Sequence, residues 1–102
     1  MNSGKSPLPD NNKMINLKSH DYYEITGAQI RAARALIRWS AKELALAAGV
    51  GVATISRAEV EAGRTTLTAA NLKAIRLALE TAGIEFLPQN GGGVGVRFRN
   101  PT

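Results

Sequence analysis

Cysteine is absent from the 102 residues, and histidine occurs once, as His20. The first absence excludes a disulfide scaffold and a thiolate metal site; the second excludes a multi-histidine metal centre. Outside the N-terminal stretch there is no histidine, cysteine or close carboxylate constellation, so no nucleophile–base pair can be assembled. The chain is therefore expected not to be an enzyme and to need no cofactor. No run of about 18 apolar residues occurs, and no charged-then-apolar signal segment opens the chain. A cytoplasmic protein with no membrane partner is expected.

What is present is a modest apolar fraction on a short chain, enough for one domain with one small core. The formal net charge is +5. Residues 1–27 contribute nothing to it: Lys5, Lys13 and Lys18 balance Asp10, Asp21 and Glu24. The whole excess falls on the remainder, which favours a polyanionic partner.

Residues 1–25 open with a stretch rich in Asn, Ser, Pro and Lys and show no hydrophobic period. They read as a disordered arm or leader, with Met14 an alternative natural start. Order is expected from Thr26. Thr26 and Gln29 form a capping box, and Ile30, Ala33, Arg34 and Ile37 then fall on one helical face, with Trp39 closing the helix as a largely buried residue. Ser40 and Glu43 form a second capping box, so the chain must turn sharply between two helices. Leu44, Ala45 and Ala48 make the inward face of helix two, and Gly49 stands where a left-handed C-cap is needed. Helix three is expected over about 52–60, burying Ile55 and Ala58. After a loop, Thr68 caps helix four, with Leu72, Ile75 and Leu79 inward and Ala82-Gly83 at its end.

Residues 84–102 change character. Ile84–Leu87 and Val94–Arg99 alternate around PQNGGG, and Asn90-Gly91 signals a β-hairpin. A lone hairpin is marginal in water, so it must pack on the helices or pair with another chain. The triple glycine 91–93 is not a phosphate loop: the lysine–serine/threonine ending and a following helix are both missing.

The stretch SAKELALAAGVGVATISRAE, residues 40–59, has the physical logic of a helix-turn-helix. It resembles the phage-repressor/Cro (XRE-type) family over about Gln29–Leu79. The matching features are the Ser40–Glu43 cap, Leu44-Ala45, the Gly49-Val50 turn, Thr54-Ile55, and Arg57 followed by Glu59. The resemblance implies a mainly α, compact four-helix lambda-repressor-like domain over 26–83, to which the residue pattern adds the C-terminal β-hairpin of 84–102. It implies a small transcriptional regulator, expected to be a repressor, that binds double-stranded DNA in the nucleoid through helix three.

Carried over residue by residue, Val52, Ala53, Ser56 and Arg57 are the expected base contacts. Apolar Val52 and Ala53 suit thymine methyl groups, and Arg57 suits the O6 and N7 of guanine. Ser40, Lys42, Thr54 and Arg64 are the expected phosphate contacts. The competing interpretation of helix three is a face of small solvent-exposed residues with no reading role. Arg34 and Glu59 are expected to form a structural ion pair; the alternative is that Arg34 snorkels outward along its aliphatic stem.

Three features depart from the family pattern. Ala41 stands where a phosphate-holding glutamine is common, Gly51 where Ser or Thr usually caps helix three, and the link after Glu59 is longer than usual. The hairpin also stands where the family carries a fifth helix. Phe86, Val96 and Phe98 are candidates for a homodimer interface, and a hairpin that covers the open end of a monomer core is the alternative. A different function class stays open as well: a protein-binding adaptor, or an antitoxin-like partner, using the same fold to bind another protein.

Overall fold

The computed structural model describes residues 24–60 and 67–101. Four helices and a two-stranded antiparallel sheet follow one another in the order α1 (Gly27–Ile37), α2 (Ala41–Ala48), α3 (Val52–Val60), α4 (Ala69–Thr81), β1 (Ile84–Leu87) and β2 (Gly95–Phe98). The fold is thus mainly helical with a C-terminal hairpin, a helix-turn-helix architecture. Residues 1–23 of the expected arm, residues 61–66 and Arg64 within them lie outside the described residues.

Local chemistry sets the helix boundaries. Thr26 Oγ1 accepts from the Gln29 backbone N–H at 3.1 Å while Gln29 Oε1 accepts from the Thr26 N–H at 2.9 Å, a reciprocal cap on α1. Ser40 and Glu43 repeat the arrangement on α2 at 3.0 and 2.7 Å. Each satisfies two N–H groups that a helix start leaves without intrahelical partners. Gly49 ends α2 at φ 73°, ψ 32°. Its N–H and that of Val50 both return to the Ala45 carbonyl, at 2.9 and 3.0 Å. The tight turn between α2 and α3 therefore rests on a left-handed residue that a Cβ would disfavour.

The first helix ends differently from its sequence reading. It stops at Ile37, and Arg38 takes the left-handed cap at φ 59°, ψ 38°. Trp39 lies beyond the helix, half-buried, packed on the core rather than within it. The reversal into α2 needs two residues after the cap, so the tryptophan is spent on the corner.

The core gathers Ile25, one face from each helix and the inner face of β1: Ile30, Ala33, Leu44, Ala45, Ile55, Ala58, Leu72, Ile75, Leu79, Ile84 and Phe86. The fully buried Ile and Leu side chains among these each contribute roughly 1.5–3 kcal/mol through removal from water. Ile25, assigned by sequence to the N-terminal arm, is 1% exposed and belongs to this core.

The hairpin is part of the same core. Its register pairs Ile84 with Phe98, Glu85 with Arg97, Phe86 with Val96 and Leu87 with Gly95. Residues directly opposite share a face, so Ile84, Phe86, Val96 and Phe98 form the inner face and Glu85–Arg97 the outer. Arg97 Nε donates to Glu85 Oε1 at 2.9 Å across the outer face. That bond, more than the neighbouring charges, holds the Glu85 carboxyl below its ordinary range. Asn90-Gly91 does not make a two-residue turn. The strands are joined by seven residues, 88–94, with Gly91 at φ 84°.

Both ends of the sheet are pinned to the helices. Gln29 Nε2 donates to the carbonyls of Leu87 (3.1 Å) and Gly95 (2.9 Å), the paired residues of the last rung. At the other end the Arg99 N–H donates to the Gly83 carbonyl at 2.8 Å, and its guanidinium to the Glu80 carbonyl at 2.7 Å.

Candidate nucleic-acid interface

Helix α3 buries Ile55 and Ala58 completely, both at 0% exposure. Helical geometry then sends residues 52, 53, 56 and 57 away from the core. Val52, Ala53, Ser56 and Arg57 are all exposed. Thr54 is half-buried at the edge of this face. Arg57 Nη2 lies 3.5 Å from Thr54 Oγ1, a contact at the outer limit of a hydrogen bond. Its guanidinium is thus laid back over the first turn of α3, in the direction helical side chains lean.

The far end of α3 is fixed to α1. Arg34 Nε donates to Glu59 Oε2 and Arg34 Nη2 to Glu59 Oε1, both at 2.8 Å, a bidentate fork. The side chains are 23% and 11% exposed. The hydrogen bond to Glu59, opposed by partial burial, raises the Arg34 guanidinium above its ordinary pKa. The third nitrogen of Arg34, Nη1, donates to the Trp39 carbonyl at 2.9 Å. One side chain thus joins α1, the corner before α2 and the last turn of α3.

Arg31 adds a contact that the residue pattern did not reveal. Its Nη1 donates to the Glu59 carbonyl at 2.7 Å, one of the carbonyls a helix end leaves open. A cation there also complements the negative end of the helix dipole. Periodicity places Arg31 one turn before Arg34, but nothing in a side-chain pattern announces a backbone carbonyl as partner.

Of the expected phosphate contacts, Ser40 and Lys42 are exposed at the start of α2. Ser40 Oγ is engaged by the Glu43 N–H as an acceptor and keeps its own hydrogen to donate. Ala41 is half-buried against the core and offers no polar group. Among the described residues, no group hydrogen-bonds or ion-pairs with the Lys42 ammonium.

The dimer candidates require a correction. Phe86 is 5% exposed and belongs to the core of its own chain, and Val96, opposite it, packs on that core. Both are held inward by the strand register. Phe98, on the same face but at the end of the ladder, keeps 36% exposure. Among the described residues no helix is long and apolar enough to cross a membrane.

Two short helices at a tight turn, the second presenting one small-residue face and anchored by an Arg–Glu fork, define a helix-turn-helix module. The chain matches the Helix-turn-helix family over residues 30–86, more than half its length, and belongs to that family in its XRE, phage-repressor-like form. At the level of the family this is a DNA-binding transcription regulator. Comparison with curated proteins finds no match to the chain.

Proposed function

We propose that this protein is a sequence-specific double-stranded DNA-binding regulator, acting as a repressor, that places α3 in the major groove. The observation that carries the reading is the division of α3. Ile55 and Ala58 are fully buried and Glu59 is bound to α1, while the short Val52, Ala53 and Ser56 face outward with Arg57 as the one long side chain among them. A reading helix needs both properties: a rigid mount and short side chains that let its axis approach the base edges.

In this reading Arg57 donates two hydrogen bonds to a guanine, and Val52 and Ala53 contact thymine methyl groups. Ser40, Lys42, Thr54 and Arg64 hold phosphates, which fix register without reading sequence. A single module reads only a few base pairs. The working form is therefore a homodimer on a two-fold site with half-sites about 34 Å apart, with Phe98 as the remaining hairpin contact.

Selection of bound duplexes from a random library, followed by binding to the selected duplex over a salt series, tests the proposal. An enriched, two-fold motif and a steep loss of affinity with salt are expected. No enriched motif and a flat salt response would remove the DNA reading and bring forward the protein-binding adaptor.

A further inference from the structure

Arg38 is the one non-glycine residue at positive φ among the described residues. A left-handed backbone suits glycine, and a Cβ disfavours it. Its geometry is not a slack feature of a loose loop. The Arg38 N–H bonds to the Ala35 carbonyl at 3.2 Å, the Trp39 N–H to the Arg34 carbonyl at 3.0 Å, and the Arg34 guanidinium holds the Trp39 carbonyl. The corner is fixed on both sides, so the backbone conformation is imposed and the arginine side chain is a costly choice for it. Strain of this kind persists where the side chain has a use.

The use is not within the described fold. Arg34, Arg76 and Arg97 are paired with carboxylates, and Arg31 and Arg99 with backbone carbonyls. Arg38 is exposed, and its guanidinium makes no hydrogen bond or ion pair with any described residue. It stands two residues before Ser40, the N-cap of α2, whose first turn carries Lys42. A rigid backbone here launches a free guanidinium from a defined point beside the residues proposed to grip phosphate.

We infer that Arg38 is a further DNA-backbone contact, its guanidinium binding a phosphate that flanks the one held at Ser40 and Lys42. The inference rests on the DNA-binding reading of the previous subsection. It assigns to this corner a grip that compensates for the apolar Ala41. The planar fork of an arginine matches two phosphate oxygens at once, and a contact of this class strengthens binding to every sequence alike.

The test measures binding of the parent, Arg38→Gly, Arg38→Asn and Arg38→Lys to the parent's selected duplex and to an unrelated duplex across a salt series. Arg38→Gly and Arg38→Asn should each lose roughly eight-fold in affinity at about 0.1 M salt on both duplexes, with a salt slope shallower by about one. Base preference should be unchanged. Their melting temperatures should be no lower than the parent's, since glycine and asparagine both accept the left-handed backbone. Arg38→Lys should keep the parent's slope. An unchanged slope in Arg38→Gly and Arg38→Asn would overturn the assignment while leaving the parent's DNA binding intact. So would a weakened affinity matched by a lower melting temperature, which would make Arg38 a structural residue. A parent that binds neither duplex would overturn the DNA-binding reading itself.

Discussion

Arg34 and Glu59 meet as a two-bond fork, each oxygen of the carboxylate 2.8 Å from a separate guanidinium nitrogen. They lie 25 positions apart in the sequence, and the fork ties the last turn of α3 to α1. Arg34→Ala and Glu59→Ala should each be strongly destabilising, because the survivor is left half-buried without its partner. For a buried pair that cost is roughly 3–5 kcal/mol, and partial exposure of Arg34 should bring it toward the lower figure. The double substitution should cost less than the sum of the singles in denaturant melts. Strictly additive, near-zero effects would show the fork contributes nothing.

Arg57→Ala should leave folding unchanged, since the side chain is exposed and its single hydrogen bond among the described residues is a 3.5 Å approach to Thr54. On a selected duplex it should cost about 1–3 kcal/mol and relax preference at one base pair. Lys42→Ala should weaken all duplexes alike and reduce the salt slope by about one. Equal selectivity of Arg57→Ala and the parent would mean that α3 does not read bases through this residue.

Gln29→Leu should damage the hairpin more than the helix cap. The amide is 2% exposed and donates to two carbonyls, those of Leu87 and Gly95. Both bonds are only partly buried, so losing each should cost toward the lower end of the roughly 1–3 kcal/mol of a buried unsatisfied group. Amide exchange should accelerate first in β1 and β2 and only secondarily at Thr26. Uniform loss of protection across all helices would place Gln29 in the general core instead.

Truncation after Gly83 should abolish cooperative melting rather than release a folded monomer, because it strips Ile84 and Phe86 from the core. Phe98→Ser is the milder probe: it should preserve the melting transition and lower the dimer fraction in sedimentation experiments. A parent already monomeric at micromolar concentration would make the hairpin a lid and nothing more.

Legibility followed the range of the interactions. The capping boxes Thr26–Gln29 and Ser40–Glu43 and the glycine cap at Gly49 act over a few residues, and their side chains state their purpose in the sequence. The buried faces of α2, α3 and α4 obey helical period and could be read the same way. Arg38 could not be read, since a left-handed arginine has no residue signature; the corner that demands it is formed by the packing of Trp39. The hairpin's inner face stayed open between a dimer contact and a cover for its own core for a related reason. Alternation shows that Phe86 and Val96 point one way without showing which surface waits there, and that surface is α1 and α4 of the same chain. Arg31 and Gln29 were opaque in their second roles because both bind carbonyls, which every residue carries.

The amide of Gln29 has a consequence for timing. Its partners lie 58 and 66 residues further along the chain, and α2, α3 and α4 all lie inside the loop this closes. Loop closure of that length must be met before its contacts return any stabilisation. During synthesis the first helix can already be tied to α3 by the Arg34–Glu59 fork, but its Gln29 amide waits for both carbonyls until Gly95 has left the ribosome. A chain interrupted at the glycine-rich turn would carry every residue proposed to touch DNA and still lack the last rung that secures the core beneath them.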